Sequence, residues 1–206
     1  MGSNNVGASD PLKVLEAALR GGVTCFQLRE KGPDALVGDK KQRFAEACKA
    51  LCQHYQVPFI VNDDVDLAIA VDADGVHVGQ DDETANSVRE RIGNDKILGV
   101  SVHNEQEVLT AIAVDADYVG MGPIYATSSK ADAKPVSGTA LIRDMTALYP
   151  DLPIVGIGGI TAVNFAPVLT AGAAGVSIIS AIASAVDPYV AARRFKIAIH
   201  KEVLPS

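Results

Sequence analysis

The chain is 206 residues long, enough for one full core and short for two, and it reads as one domain over 1–206. A net charge of −7 with no Lys/Arg cluster argues against a nucleic-acid surface, while a few local cations or a metal could still hold an anionic small molecule. Aromatics make up 5% against 48% hydrophobic residues overall, so the core must rest on Val, Ile, Leu and Ala, which favours parallel strands buried on both faces.

In chain order, Met1-Gly-Ser-Asn-Asn5 comes first. These residues are either foreign to the protein or the tail of a first strand whose beginning lies outside the chain, and the second reading is preferred. A helix over 11–20 follows, opened by Asp10-Pro11 as N-cap and first-turn proline. Aliphatic runs at 24–28, 58–61, 75–78, 97–100, 118–120, 154–156 and 175–179 then alternate with helical stretches at 39–54, 65–71, 87–92, 105–113, 140–148, 162–171 and 188–200. Asp72-Ala-Asp-Gly-Val and Asp115-Ala-Asp-Tyr-Val echo one another as helix end, turn and strand. Repetition of one strand–helix unit predicts a (β/α)8 TIM barrel with its first strand truncated, and a doubly wound open sheet is the alternative. Cys48 and Cys52 share a helix face and read as core residues. No run approaches the ~18 apolar residues of a membrane span, and no basic-then-apolar leader is present, so a cytoplasmic location is expected.

A TIM barrel carries its chemistry at the C-terminal ends of its strands. After the run at 24–28 stand Arg29, Glu30 and Lys31, with Gln27, Arg29 and Lys31 on one face by period two. A fork-shaped Arg and a point-charge Lys suit a diphosphate, although a solvated strand end would look the same. Asn62, Asp63 and Asp64 end one run, and Gln80, Asp81 and Asp82 follow the next. Helix capping explains one Asp per cluster; carboxylates brought to a shared rim would hold Mg²⁺. Ser101 and His103 are too close along an extended segment for a catalytic triad, so Ser101 reads as a hydrogen-bond donor to ligand. His77 lies in a buried run and reads as a core imidazole, and His54 and His200 as helix-surface residues. The stretch 122–138 holds Thr127, Ser128, Ser129, Lys130 and Lys134, and reads as a lid over anionic oxygens. Gly156-Ile-Gly-Gly159 lets backbone approach a phosphate, but Thr161 stands where a dinucleotide fingerprint needs its third Gly.

The succession Gln27-Leu-Arg-Glu-Lys31, Val61-Asn-Asp-Asp64, His77-Val-Gly-Gln-Asp-Asp82, Gly99-Val-Ser-Val-His103, Gly122-Pro-Ile-Tyr-Ala-Thr-Ser-Ser-Lys130 and Val155-Gly-Ile-Gly-Gly-Ile-Thr161 resembles the thiamine phosphate synthase family over essentially the whole chain. The resemblance implies a transferase joining 4-amino-2-methyl-5-(diphosphooxymethyl)pyrimidine to hydroxyethylthiazole phosphate, with pyrophosphate released. It implies that Gln27, Leu28, Arg29, Glu30, Lys31, Asn62, Ser101 and Lys130 meet the pyrimidine diphosphate, with Arg29, Lys31, Ser101 and Lys130 catalytic. Asp63 and Asp82 would hold Mg²⁺, while Thr127, Ser128, Ser129, Gly159, Ile179 and Ser180 would take the thiazole phosphate. The expected partners are these small molecules alone, without nucleic acid or membrane, and a homo-oligomer is compatible. Ala126 and Ser129 depart from a loop that in the family usually reads Pro-Thr-x-Thr-Lys. A thiazole tautomerase on the same fold and a non-catalytic sensor of thiamine precursors are the competing readings; retention of Arg29, Asp63, Asp82 and Lys130 together favours the synthase.

Overall fold

Short aliphatic runs cannot close a core alone, so each must pair with the next and take a helix on its outer face. The computed structural model describes residues 1–32, 34–127 and 134–203, with backbone only for 201–203. Seven strands lie side by side in chain order: β1 (Phe26–Leu28), β2 (Phe59–Asn62), β3 (Gly75–Val78), β4 (Ile97–Val102), β5 (Tyr118–Met121), β6 (Ile154–Ile157) and β7 (Gly175–Ser177). Each adjacent pair is parallel, with Leu28 beside Val61, Asn62 beside His77 and Ser101 beside Gly120. The helices between them are α1 (Pro11–Arg20), α2 (Gly38–His54), α3 (Val65–Ala70), α4 (Ala85–Ile92), α5 (Glu105–Ala113), α6 (Ala140–Leu148), α7 (Ala166–Thr170), α8 (Ser180–Ala183) and α9 (Pro188–Val203). This is a TIM-barrel-like fold, as the strand–helix repeat predicts, with seven paired strands among the described residues.

The outer edge of β1 is occupied by Met1. Its amino nitrogen donates to Gln27 O at 2.6 Å, and Arg29 N–H donates to Met1 O at 3.1 Å. A residue of an adjoining parallel strand makes such a pair of bonds, so Met1 stands where a strand tail would. The chain then tightens into a 3₁₀ turn, Ser3–Asn5, with Asn5 Oδ1 accepting from Gly2 N–H at 2.7 Å.

Local signals explain several helix starts. Asp10 accepts from Leu12 N–H at the start of α1, Asp64 from Leu67 N–H at the start of α3, and Thr84 from Ser87 N–H at the start of α4. Thr84 starts α4 two residues before the predicted 87. The run at 175–179 stops at Ser177, because Ile179 already caps the short α8. Cys48 and Cys52 are fully buried beneath α2, as one-face spacing predicts. At Gly21 the chain passes α9 so closely that a Cβ would lie 2.6 Å from Ala192 Cβ.

The echo between Asp72-Ala-Asp74 and Asp115-Ala-Asp117 has a physical basis. In each, the first Asp takes a left-handed φ of 51° after a helix. The second reaches the neighbouring strand: Asp74 accepts from Phe59 N–H at 2.7 Å and Asp117 from Leu98 N–H at 2.8 Å. Arg89 completes this N-terminal rim, donating to Gly93 O, Lys96 O, Asp115 O and Asp117 Oδ2 at 2.6–2.9 Å. No helix among the described residues is long and apolar enough to cross a membrane.

Candidate active site

Parallel order brings every strand's C-terminal end to one rim, which opens into a cavity of about 750 Å³ that also extends to Leu15 and Ala18 on α1 and Phe195 on α9. Its lining includes Gln27, Arg29, Lys31, Asn62, Asp63, Asp82, Ser101, Thr127, Gly159, Ile179 and Ser180. These sequence-predicted residues come together. Ser128, Ser129 and Lys130 lie outside the described residues.

Two predicted contacts do not reach the cavity. Leu28 is 1% exposed and packs in the core. The Glu30 carboxylate accepts from Ser3 N–H, from Ser3 Oγ at 3.0 Å and from Leu36 N–H at 2.8 Å, so it ties the N-terminal turn to the loop after β1. Period two explains both: Gln27, Arg29 and Lys31 face inward, and Leu28 and Glu30 face away.

The two acidic clusters divide their labour. At the end of β2, Asp63 adopts φ 65° and donates its N–H to His77 O at 2.8 Å. This left-handed step turns its side chain into the cavity and leaves Asp64 to cap α3, where Lys41 Nζ also reaches it at 2.5 Å. After β3, Asp82 is drawn back over the strand end by Gly79 N–H, which donates to Oδ2 at 2.9 Å. Asp82 is therefore not the helix cap; Thr84 is.

Lys31 Nζ sits against Asp63 Oδ2 and 3.6 Å from Asp82 Oδ1. Burial, reinforced by the neighbouring Asp82 and resisted by Lys31, pushes the Asp63 carboxyl up to about 6. Burial also opposes ionisation of Asp82, but the Asp63 hydrogen bond, Gly79 N–H and Lys31 outweigh it and hold Asp82 below the usual range. Of the pair, Asp63 is therefore the later to ionise as pH rises. Burial disfavours the charged Lys31, yet Asp63 and Asp82 leave its pKa raised.

This donor set fits a hard divalent cation. Asp63 Oδ2 is buried and accepts no well-directed hydrogen bond, even though the Lys31 ammonium lies against it. Among the described residues no three His, Cys, Asp or Glu side chains gather to hold a metal unaided. Two carboxylates suit Mg²⁺, which usually retains waters and completes its shell with substrate phosphate oxygens.

The floor of the cavity is polar. His77 Nε2 lies 2.8 Å from Ser101 Oγ, and His77 Nδ1 lies 2.9 Å from the Tyr118 hydroxyl. Gln80 Nε2 donates to Ser101 O at 2.7 Å. Sequence reading placed His77 in the core but missed Tyr118 and Gln80. His103 is engaged with Glu107 at 2.9 Å, which leaves no triad with Ser101. At the other end of the rim, Gly158 and Gly159 take φ 88° and 66°. A Cβ on Gly159 would fall 2.5 Å from Ala126 O, so only glycine allows this turn to pack under the loop after β5.

Fold and site together define a TIM-barrel-like enzyme class whose rim cavity gathers cationic side chains, a carboxylate pair and a glycine turn. Comparison with known proteins narrows this. Residues 2–182 match the family model described as thiamine monophosphate synthase. Thiamine-phosphate synthases of Geobacillus kaustophilus and Lysinibacillus sphaericus are 58% and 56% identical over 192 and 187 residues. The alignments span 93% and 91% of this chain and 86% and 87% of those proteins. The solved thiamine phosphate pyrophosphorylase from Pyrococcus furiosus superposes with a TM-score of 0.86 at 29% identity, covering 98% of this chain and 95% of that one. The chain belongs to the thiamine monophosphate synthase family.

Proposed function

We propose that this chain is a thiamine-phosphate synthase that forms its product by Mg²⁺-assisted departure of pyrophosphate. The reaction breaks the C–O bond between the pyrimidinylmethyl carbon and diphosphate and forms a C–N bond to the thiazole nitrogen. The observation that carries the reading is the meeting of Lys31, Asp63 and Asp82 over three adjacent strand ends, with Arg29 and Ser101 lining the same cavity.

Arg29 and Lys31 would bind the diphosphate oxygens and stabilise negative charge as it develops on the leaving group. Lys130 would do the same. Mg²⁺ held by Asp63 and Asp82 would add Lewis-acid charge at the diphosphate. Gln27, Asn62 and Ser101 would orient the pyrimidine diphosphate. Thr127, Ser128, Ser129, Gly159, Ile179 and Ser180 would fix the thiazole phosphate, so that its nitrogen faces the electrophilic carbon. That nitrogen carries no proton, so the nucleophile needs no general base. The engagement of His103 with Glu107 and the burial of His77 agree with this.

The test is pyrophosphate release from purified chain supplied with each substrate alone and with both, with and without EDTA. Release should require both substrates and the metal. Turnover that survives EDTA, or none with both substrates and Mg²⁺, defeats the reading.

A further inference from the structure

A polar chain crosses the cavity floor from Tyr118 on β5, linking three strands. Tyr118 meets His77 Nδ1 on β3 at 2.9 Å, and His77 Nε2 meets Ser101 Oγ on β4 at 2.8 Å. His77 and Ser101 are 5% and 8% exposed, the two buried polar side chains of the described core. The sheet makes room for the rings: a Cβ at Gly99 would lie 2.3 Å from Tyr118 Cζ and 2.5 Å from His77 Nδ1. At Gly120 a Cβ would lie 3.1 Å from His77 Cε1. An aliphatic floor would avoid desolvating these groups, so packing alone does not account for them.

A neutral imidazole has one N–H and one lone pair, so the two bonds of His77 run in a single sense. The phenol decides which. A phenol is a better proton donor than an aliphatic alcohol, and the burial that raises the Tyr118 pKa acts in the same sense on the buried Ser101 hydroxyl, so the order of the two is kept. Tyr118 O–H is therefore directed at Nδ1, and the imidazole carries its proton on Nε2, aimed at Ser101 Oγ. Having accepted that bond, the Ser101 hydroxyl keeps its own proton for the cavity.

We propose that Tyr118 and His77 are positioning residues that hold Ser101 as a one-way hydrogen-bond donor toward an anionic oxygen of the substrate. The diphosphate as recipient rests on the function proposed above; the polarity of the chain does not. With the opposite polarity, Ser101 would turn its proton inward and present lone pairs to an anion, a repulsive arrangement. The array therefore selects for acceptor-rich ligands before any substrate arrives.

The experiment reads the tautomer directly. Isotope-labelled histidine in the whole chain, with long-range proton–nitrogen correlation and assignment by His77→Gln, should show His77 protonated at Nε2. In Tyr118→Phe the Nε2 preference should be lost. That variant's kcat should fall about 10- to 100-fold, the worth of one hydrogen bond to a charged group, with KM for the diphosphate substrate little changed. His77→Gln, which can still offer an N–H to Ser101, should keep more activity than His77→Leu. Thermal unfolding of each variant separates collapse of the floor from loss of polarity. A His77 protonated at Nδ1 in the unaltered chain overturns the proposal, as does Tyr118→Phe turning over at the parent rate. Should the unaltered chain show no coupling activity, the function falls and the tautomer alone decides the polarity.

Discussion

Replacing Asp63 by Asn should make the protein more stable at neutral pH while removing the metal-dependent activity proposed above. In the folded chain the Asp63 pKa is about 6, against an ordinary 3.8. The native state therefore holds this proton more tightly than the unfolded chain does. Stability from this group is fully present below about pH 4, falls as pH rises to about 6, and stays low above that. A rise of roughly 2 units at about 1.4 kcal/mol each makes ionised Asp63 a burden of about 3 kcal/mol at pH 7.5. Asn has the shape of the protonated acid, carries no charge, and tolerates the left-handed φ of 65°. Loss of the Lys31 partner is already contained in that net shift, because Lys31 acts on the pKa in the opposite direction. Urea unfolding followed by circular dichroism should give Asp63→Asn an advantage of about 1–3 kcal/mol at pH 7.5, shrinking to nothing near pH 4. Comparing the two proteins at each pH cancels the titrating groups that do not interact with Asp63, which leaves Asp82 and Lys31 as the two whose own titration shifts with it. A variant less stable than the parent at pH 7.5 would refute the idea that the site stores an unfavourable carboxylate for the sake of its chemistry.

Asp82→Ala should abolish Mn²⁺ binding by calorimetry, with Mn²⁺ standing in for Mg²⁺, while the far-ultraviolet spectrum stays native. Gly159→Ala combines φ 66° with a Cβ 2.5 Å from Ala126 O, so it should cost about 1–3 kcal/mol and raise KM for the thiazole phosphate more than for the diphosphate. Steady-state kinetics with each substrate varied in turn checks that split. Lys130→Ala should lower turnover at least about tenfold, the loss of one charge-assisted contact, at an unchanged Tm; parent rates would show that lysine to be idle.

Residues in a period are the easiest to read from the chain. Gln27, Arg29 and Lys31 alternate with Leu28 and Glu30, and a strand has only two faces, so the inward set follows from pleat geometry. The wider family motif blurred that distinction by including Leu28 and Glu30, which the fold turns toward the core and the N-terminal turn. Asp63 and Asp64 were harder, since capping suits either one. The choice depends on a backbone angle at Asp63 that neighbouring residue types do not specify. The Tyr118–His77 contact joins positions 41 apart, and no local spacing announces it. Its one trace was glycine inside the strands at 99 and 120, a usual mark of close approach. Strand ends shifted where a cap intervened, as Ile179 did after β7.

The Arg89 clasp lies at the end of the sheet opposite the cavity and grips carbonyls around the entrances to β4 and β5. Lysine, with one point charge, could not span four oxygens at once. Mechanical integrity and chemistry are thus assigned to opposite poles of the molecule. A substitution in the loops that meet substrate therefore need not loosen the fastening that keeps the staves aligned.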